Sequence, residues 1–557
     1  MRKPASETPT GRATSAARSA SKKRPQKRTT AATKTPADAK SSAAPTGMRR
    51  VIKAGAGVRI RHYCQGVGDC HLLRFPRDGQ PDFLVLIDCG IHTSIPGGSE
   101  KIARIVEDIA KVTGGRIDLL VVTHEHWDHV SGFSTAADAF AAFEVGQVWC
   151  AWTEDPNDPE AQQLDTYKGK ALAALQLASN RLSLSDAAGQ ELGLRIENVL
   201  GFPFGAKGDR VRAARDKAIA LGKGNVVYRK PGEGPLALDG VDTHHVYVLG
   251  PPRDRSMIRL EERASEMYHF AGSPMAEALR SAMSNDTASD IEDTWRPFDR
   301  DVGYPSAKLL AEASAEADRE IPPKPNAVQT GPSTPEHSAR QATVDLFSKH
   351  YVGPTNGSEH GMPAHAARDQ SWRCIASDWL RLSADLAMQL DAGINNTSLV
   401  LAFETTRREQ RQVLLFAADA QIGSWLTWPA LHWGEGSTRV TGRDLLERTV
   451  YLKVSHHGSH NGTRKGDGLE LMRHKDLAAF VPTNKHDAEN KCKWRNFPFD
   501  PLLDVLGRKS QKRLIRADDA WIAAGVVPDN FKTSPGCIAA VTTAPDGSGL
   551  WVEVELA

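Results

Sequence analysis

One seven-residue segment constrains this chain more than any other: Thr123-His124-Glu125-His126-Trp127-Asp128-His129, directly after the apolar run at 119–122. A short apolar run bounded by polar residues reads as a buried strand, so these imidazoles and carboxylates stand in the loop at a strand end. Neutral imidazole and carboxylate are the ligands of zinc and similar divalent ions. Folded around two neighbouring positions, His124 and His126 would serve one ion, and Asp128 and His129 the other. Two ions ~3.5–4 Å apart can share a hydroxide and clamp a displacement at carbon or phosphorus. The alternative is a polar loop of uncommitted histidines. A single histidine would favour that alternative, whereas this density of ligands at a strand end favours a metal site.

The rest of the composition sets bounds. The 557 residues are 40% hydrophobic and 25% charged, the balance of an ordinary globular protein. There is no run of 18 apolar residues and no apolar stretch near the N-terminus, so neither a membrane span nor a secretory signal is expected. Seven scattered cysteines without a CxxC pair argue against a disulfide framework and suit a reducing cytoplasm. The net charge of +2 conceals an asymmetry. Residues 1–50 hold 13 Lys/Arg against 2 Asp/Glu, a net of +11, which leaves −9 on the remainder. Residues 1–47 lack aromatic side chains and are rich in Ala, Ser, Thr, Pro, Lys and Arg; a disordered basic tail is expected there. Such a tail can contact nucleic acid by neutralising phosphates, and the simpler reading is a solvated linker.

In the body, residues 48–557, the segments 58–63, 70–75 and 82–88 read as strands, 99–112 as an amphipathic helix capped by Ser99, and 117–122 as a further strand. Residues from about 150 to 390 are polar and mostly helical in pattern. Helices are expected at 171–182, 259–283 and 371–390, with a strand at 244–249 and a proline-rich loop at 321–345. Strand patterns return at 398–403, 412–417, 450–454, 477–481 and 538–543. The body is therefore of the α/β class, with a large, mainly helical insertion at about 150–390. Trp425 and Trp428 read as core, and Lys485 either as a group able to hold a phosphate or, equally, as a solvated loop lysine.

The spacing His124-x-His126-x-Asp128-His129 resembles the signature of the metallo-β-lactamase superfamily. Further pieces follow in the matching order: Asp88 after the strand at 82–88, Asp419 after the strand at 412–417, and the run Lys453-Val454-Ser455-His456-His457-Gly458-Ser459. Within that superfamily the chain is similar to the soluble domain of the competence protein ComEC over about 55–150 and 390–545. The residues that carry this likeness are Gly66-Val67-Gly68-Asp69-Cys70, Asn395-Asn396-Thr397-Ser398-Leu399-Val400-Leu401, Ala418-Asp419-Ala420 and His456-His457-Gly458-Ser459. The resemblance implies a four-layer αβ/βα sandwich carrying two divalent ions, zinc by preference and manganese as the alternative. It implies His124, His126, Asp128, His129, Asp419 and one histidine of the 456/457 pair as ligands, with Asp88 and Asp69 supporting the metal loop from behind.

Adjacent residues at a strand end point in different directions, so one of the pair ligates. His456 is expected as the ligand and His457 as proton donor to the leaving group. Typical relatives also supply a middle-chain histidine to the first ion. Here Gly250 stands at the matching strand end, and His244, His245, His360 and His365 are the histidines within reach of that part of the chain.

Together these readings imply a metallo-hydrolase that attacks with a metal-activated hydroxide, oriented by Asp128. A phosphodiesterase or nuclease is the leading reading, on the likeness and on the phosphate-binding capacity of the tail. Hydrolysis of a small ester, lactone or phosphoester is the second, favoured if the insertion closes over the site as a lid or wall. A non-catalytic, metal-stabilised binding or regulatory protein is the third, motivated by the missing middle histidine. The expected partners are accordingly a phosphodiester or small-ester substrate, with nucleic acid on the tail and no membrane.

Overall fold

The computed structural model describes residues 57–183, 187–199, 209–260, 382–407 and 410–556. The basic tail, the proline-rich stretch, most of the helix expected at 259–283, His360 and His365 lie outside these residues. The chain begins with three strands, β1 (Arg59–Tyr63), β2 (His71–Arg77) and β3 (Gln80–Ile87), followed by the helix α1 (Gly98–Thr113). In β3 the side chains alternate. Phe83, Val85 and Ile87 enter the core between the sheets, while Leu86 packs under α1 with Ile102, Ile105 and Ile109. The α1 N-terminus is set by Gly97, in left-handed backbone at φ 67°, with no side-chain cap, so the cap expected from Ser99 is not made.

Next come β4 (Arg116–Val122), α2 (Trp127–Thr135), α3 (Ala137–Phe140) and β5 (Glu144–Ala151). The segment expected to be a helical insertion opens with α4 (Pro159–Ser183), α5 (Ala187–Val199) and α6 (Asp209–Ala220). It also contains β6 (Val226–Arg229), β7 (Leu236–Leu238) and β8 (Val241–Gly250), which are strands of the two main sheets. The sandwich thus runs through this segment. The short, partly buried β6 and β7 carry too little alternation to stand out in the sequence.

The second half contributes β9 (Val400–Arg407), β10 (Gln410–Phe416), β11 (His432–Trp433), β12 (Val440–Thr441), β13 (Thr449–Lys453), β14 (Ala478–Val481), β15 (Leu514–Arg516), β16 (Ile538–Thr543) and β17 (Trp551–Leu556). The first sheet has the order β16-β17-β1-β2-β3-β4-β5-β6 and the second β15-β14-β13-β10-β9-β8-β7, with β11 and β12 forming a small ribbon. Each sheet is antiparallel at one side and parallel at the other.

One core lies between the sheets, where Ile60, Phe75, Val85 and Val121 meet Val248, Phe403, Phe416 and Phe480. A second lies under α1, α2 and α6 on the outer face of the first sheet, and a third under helices on the outer face of the second. This is the four-layer sandwich expected, with helices outside two facing sheets. Trp425 and Trp428 are fully buried in the third core with ring centroids 4.0 Å apart. Among the described residues no helix is long and apolar enough to cross a membrane.

Candidate metal centre

The strand ends gather the chemistry. β3 delivers Asp88, β4 delivers Thr123 and His124, β10 delivers Asp419, and β13 delivers the 455–459 turn. Asp88 has a positive φ of 54° and is fully buried. Its Oδ1 accepts from the Thr123 backbone N–H at 2.9 Å, and its Oδ2 accepts from the Thr123 hydroxyl at 2.6 Å. The same Oδ2 lies 2.8 Å from His129 Nδ1. Asp88 therefore fixes both the loop and the ring orientation of His129. Two backbone segments must pass unusually close here. A Cβ on Gly90 would stand 2.2 Å from the Asp128 carbonyl, so only glycine fits.

His129 Nε2 then faces Asp419 Oδ2 at 3.1 Å, and His457 Nε2 lies 2.9 Å from both Asp128 Oδ2 and Asp419 Oδ2. Ligand atoms of Asp128, His129, Asp419 and His457 fall within 4.8 Å of one another, and all four residues are buried. His124 and His126 stand beside this group, with His124 Nε2 3.1 Å from His126 Nδ1 and the His124 and His129 ring centroids 4.2 Å apart.

The histidine pair is arranged the other way round from the expectation. Both residues have left-handed backbone, φ 45° at His456 and 54° at His457, so the simple strand-end alternation does not apply. His457 enters the acidic cluster. His456 turns to a shell of amides and a hydroxyl: Asn395 Nδ2 at 3.1 Å from its Nε2, and Ser459 Oγ at 2.6 Å and Gln421 Nε2 at 3.2 Å from its Nδ1. Of the pair, His457 is therefore the one whose ring stands with Asp128, His129 and Asp419, and His456 lies outside that group.

The donor set fits divalent ions. His129 Nε2, His126 Nε2 and both ring nitrogens of His457 are buried without a hydrogen-bond partner. Buried polar atoms normally have one. Here two of them, His129 Nε2 and His457 Nε2, lie about 3 Å from carboxylates without hydrogen-bond alignment, as donors aimed at a common cation would. His126 Nε2 faces the Asp391 carboxylate at 3.7 Å, on the side of its ring away from His124.

Electrostatics follow the same geometry. Burial disfavours the His457 cation, but Asp419 and Asp128 overcome it and hold its pKa up at about 10. His129 is likewise raised, against its burial, by Asp419, Asp69 and Asp88. Burial dominates at His126 and His456 and lowers them to about 4 and about 3. It also lowers His124, helped by His129 and His126. Asp128 and Asp419 are held below the usual carboxylate range, against burial, by the neighbouring histidines.

In the sequence Lys453 merely opens the histidine run. It proves to be the central cation. It is fully buried, ion-paired to Asp69, 3.4 Å from Asp419 Oδ1, and donates to the Ala418 carbonyl at 2.9 Å. Asp69 also faces His71 at 3.5 Å and His129 at 4.0 Å. Asp69 thus stands between the Lys453 cation and the imidazoles of His71 and His129.

Glu125, the residue between the first two histidines, anchors the loop from outside. Its Oε2 accepts from Lys168 of α4 at 2.8 Å and from Arg215 of α6 at 2.6 Å, and Arg215 also pairs with Glu154. The helix Leu382–Asn395 supplies Met388, Asp391 and Ala392 to a cavity of about 130 Å³ over the cluster. That helix forms one wall of the cavity.

Other residues fall away from the site. His244 is held by Thr405 Oγ1 at 3.0 Å and packs edge-on to Phe75. Lys485 is engaged by both oxygens of Asp500, at 2.7 and 2.9 Å, so its phosphate role is not supported. His460 and Asn461 line the cavity, as do Trp494 and Phe497.

Comparison with curated proteins and with solved structures gives no match. Residues 65–145, which span β2 to β5 and include Asp69, Asp88 and the whole histidine loop, match the family model of the Metallo-beta-lactamase superfamily, and the chain therefore carries a domain of that superfamily.

Proposed function

We propose that this protein is a metal-dependent hydrolase of phosphodiesters, with zinc as the natural ion and polynucleotide as the substrate. The observation that carries the hydrolase reading is the convergence of Asp128, His129, Asp419 and His457, three of which, Asp128, Asp419 and His457, line a cavity. Purely structural metal sites are closed, whereas a cavity over the donors leaves room for substrate. When bound, the ions supply Lewis-acid charge and lower the pKa of water toward ~7.

The chain's own groups do the rest. Asp128 sits at the mouth of the cluster and orients the attacking group. Asp88 and Asp69 hold His129 and Lys453 in place. His456, kept neutral by burial with a pKa of about 3, is a hydrogen-bonding wall toward substrate rather than an acid. The phosphodiester assignment is supported by the likeness of the segments around Asp69, Asp419 and the histidine pair to the soluble ComEC domain, and by the basic N-terminal segment.

The test is metal add-back to chelated protein, with zinc or manganese, on single-stranded DNA, RNA and bis(p-nitrophenyl) phosphate. Cleavage of polymer that vanishes in Asp128→Ala is the expected result. Turnover of the small diester alone would move the substrate to a small ester or phosphoester. Stoichiometric metal with no turnover of any ester, lactone or diester would overturn the hydrolase reading.

A further inference from the structure

The segment Lys491-Cys492-Lys493-Trp494-Arg495-Asn496-Phe497 joins the helix Lys485–Asn490 to the helix Asp500–Lys509. Two of its residues have left-handed backbone, Lys493 at φ 62° and Asn496 at φ 61°, a conformation that lysine rarely adopts. The turns bracket Trp494 and Arg495 and bring Trp494 and Phe497 to the same side, where both line the cavity over the metal cluster. Their ring centroids are 5.2 Å apart. The Trp494 ring stands 6.1 Å from that of His457, and the Phe497 ring 5.8 Å from that of His456. Both aromatic side chains are only half-buried, so part of each face is open.

Charge is distributed in a complementary way. The cavity lining contains the carboxylates of Asp128, Asp391 and Asp419, and no lysine or arginine among the described residues. The cations stand on the rim instead. Lys491, Lys493 and Arg495 are all exposed and have no ion-pair partner among the described residues. A small phosphoester enclosed in the cavity would meet no lysine or arginine among the described residues. A chain with a phosphate on either side of the reacting one would meet the rim cations.

Resting on the phosphodiester reading above, we propose that the 491–497 loop is the substrate-strand clamp of this site: Trp494 and Phe497 stack a base of a single-stranded nucleic acid while Lys493 and Arg495 hold the flanking phosphates. Stacking on an aromatic face is tolerant of sequence, because every base has one, and tracking of the backbone by cations is independent of it. The clamp therefore selects single strands over duplex, whose bases are already stacked, without selecting a sequence.

The experiment measures binding of a fluorescein-labelled single-stranded DNA oligonucleotide to the full chain in chelator, where no turnover occurs, across a salt series. Trp494→Ala is expected to weaken binding about 5- to 100-fold, the worth of one stacked base, with the salt slope unchanged. Lys493→Ala/Arg495→Ala is expected to flatten the slope of log affinity against log salt by about 1.4, for two phosphates at about 0.7 each. Trp494→Phe, which keeps a ring, should retain most of the affinity and excludes misfolding as the cause of loss. Lys111→Ala, at the far end of α1, serves as the charge control. The clamp is overturned if the loop variants bind as the wild type does, or if the wild type prefers duplex. Because the readout needs no metal, a protein that binds through this loop but hydrolyses nothing overturns the hydrolase reading alone. One that hydrolyses diesters with an inert loop overturns the clamp alone.

Discussion

Lys453→Met tests the claim that a buried lysine balances the acidic cluster. Lys453 is fully buried, in ion pairs with Asp69 and with Asp419 Oδ1 at 3.4 Å. At an effective dielectric near 20, one such pair at that distance is worth about 5 kcal/mol before desolvation is counted. Removing the cation strands two buried carboxylates, and breaking a buried pair from one side costs about 3–5 kcal/mol. Methionine fills the same volume, so packing loss adds little.

Chelated Lys453→Met should therefore lose about 3–5 kcal/mol in guanidinium unfolding, on the same range for a one-sided break. Metal loading should recover part of the loss, because bound cations then balance Asp419. Adding Asp69→Asn should also recover part of it, as expected for residues that share one network. A chelated single variant within about 1 kcal/mol of wild type, the scale of an exposed pair, would refute the role assigned to Lys453. Equal losses with and without metal would refute its coupling to the cluster.

Three further outcomes follow from the same geometry. His457→Ala should lower metal stoichiometry by plasma mass spectrometry, whereas His456→Ala should leave it intact and act on substrate KM; the opposite pattern would restore His456 as the ligand. Metal binding at pH 7 should release protons, measured by calorimetry in buffers of different ionisation enthalpy, since His129 and His457 are raised above their ordinary values, His457 to about 10, and ligating imidazole must be neutral. For the metal-free protein the sign is that of a raised group. The stability from the His457 cation is complete below its unfolded pKa of ~6.5 and is lost as pH rises through about 10. Chelated protein that is insensitive to pH between these values would contradict it.

Much of the site was legible because its residues sit at strand ends within short sequence windows. The loop from Thr123 to His129 follows an apolar strand, and Asp88 and Asp419 each close one, so local pattern and chain order located them. What escaped depends on backbone conformations or on distant partners. The His456/His457 choice turned on two consecutive left-handed residues, which strand alternation cannot anticipate. Lys453 reads as an ordinary polar residue in a strand until Asp69 and Asp419, far away in sequence, are placed beside it. The cavity wall joins Met388 and Asp391 to Trp494 and Phe497, more than a hundred residues apart, and neither segment carries a motif. In the fold, the long buried strands were legible from their apolar runs, whereas the short edge strands β6 and β7 were absorbed into a helical reading.

The charge balance of the centre explains why these separate features belong together. Four buried carboxylates, Asp69, Asp88, Asp128 and Asp419, face a single buried lysine, which leaves three negative charges unmatched. Burying unmatched charge is too costly for a folded core. Without metal, the deficit falls to one when His129 and His457 take up protons, the direction in which their surroundings move both. With two divalent ions and neutral imidazoles, the balance becomes one excess positive charge. On the proposed two-ion occupancy, that excess would favour an anion in the cavity, whose lining holds neutral His456, Gln421 and Asn461 beside the Asp391 carboxylate. Removing Lys453 would leave the proposed two-metal state neutral. On that occupancy, the loss of Lys453 should register differently in the chelated and the loaded states.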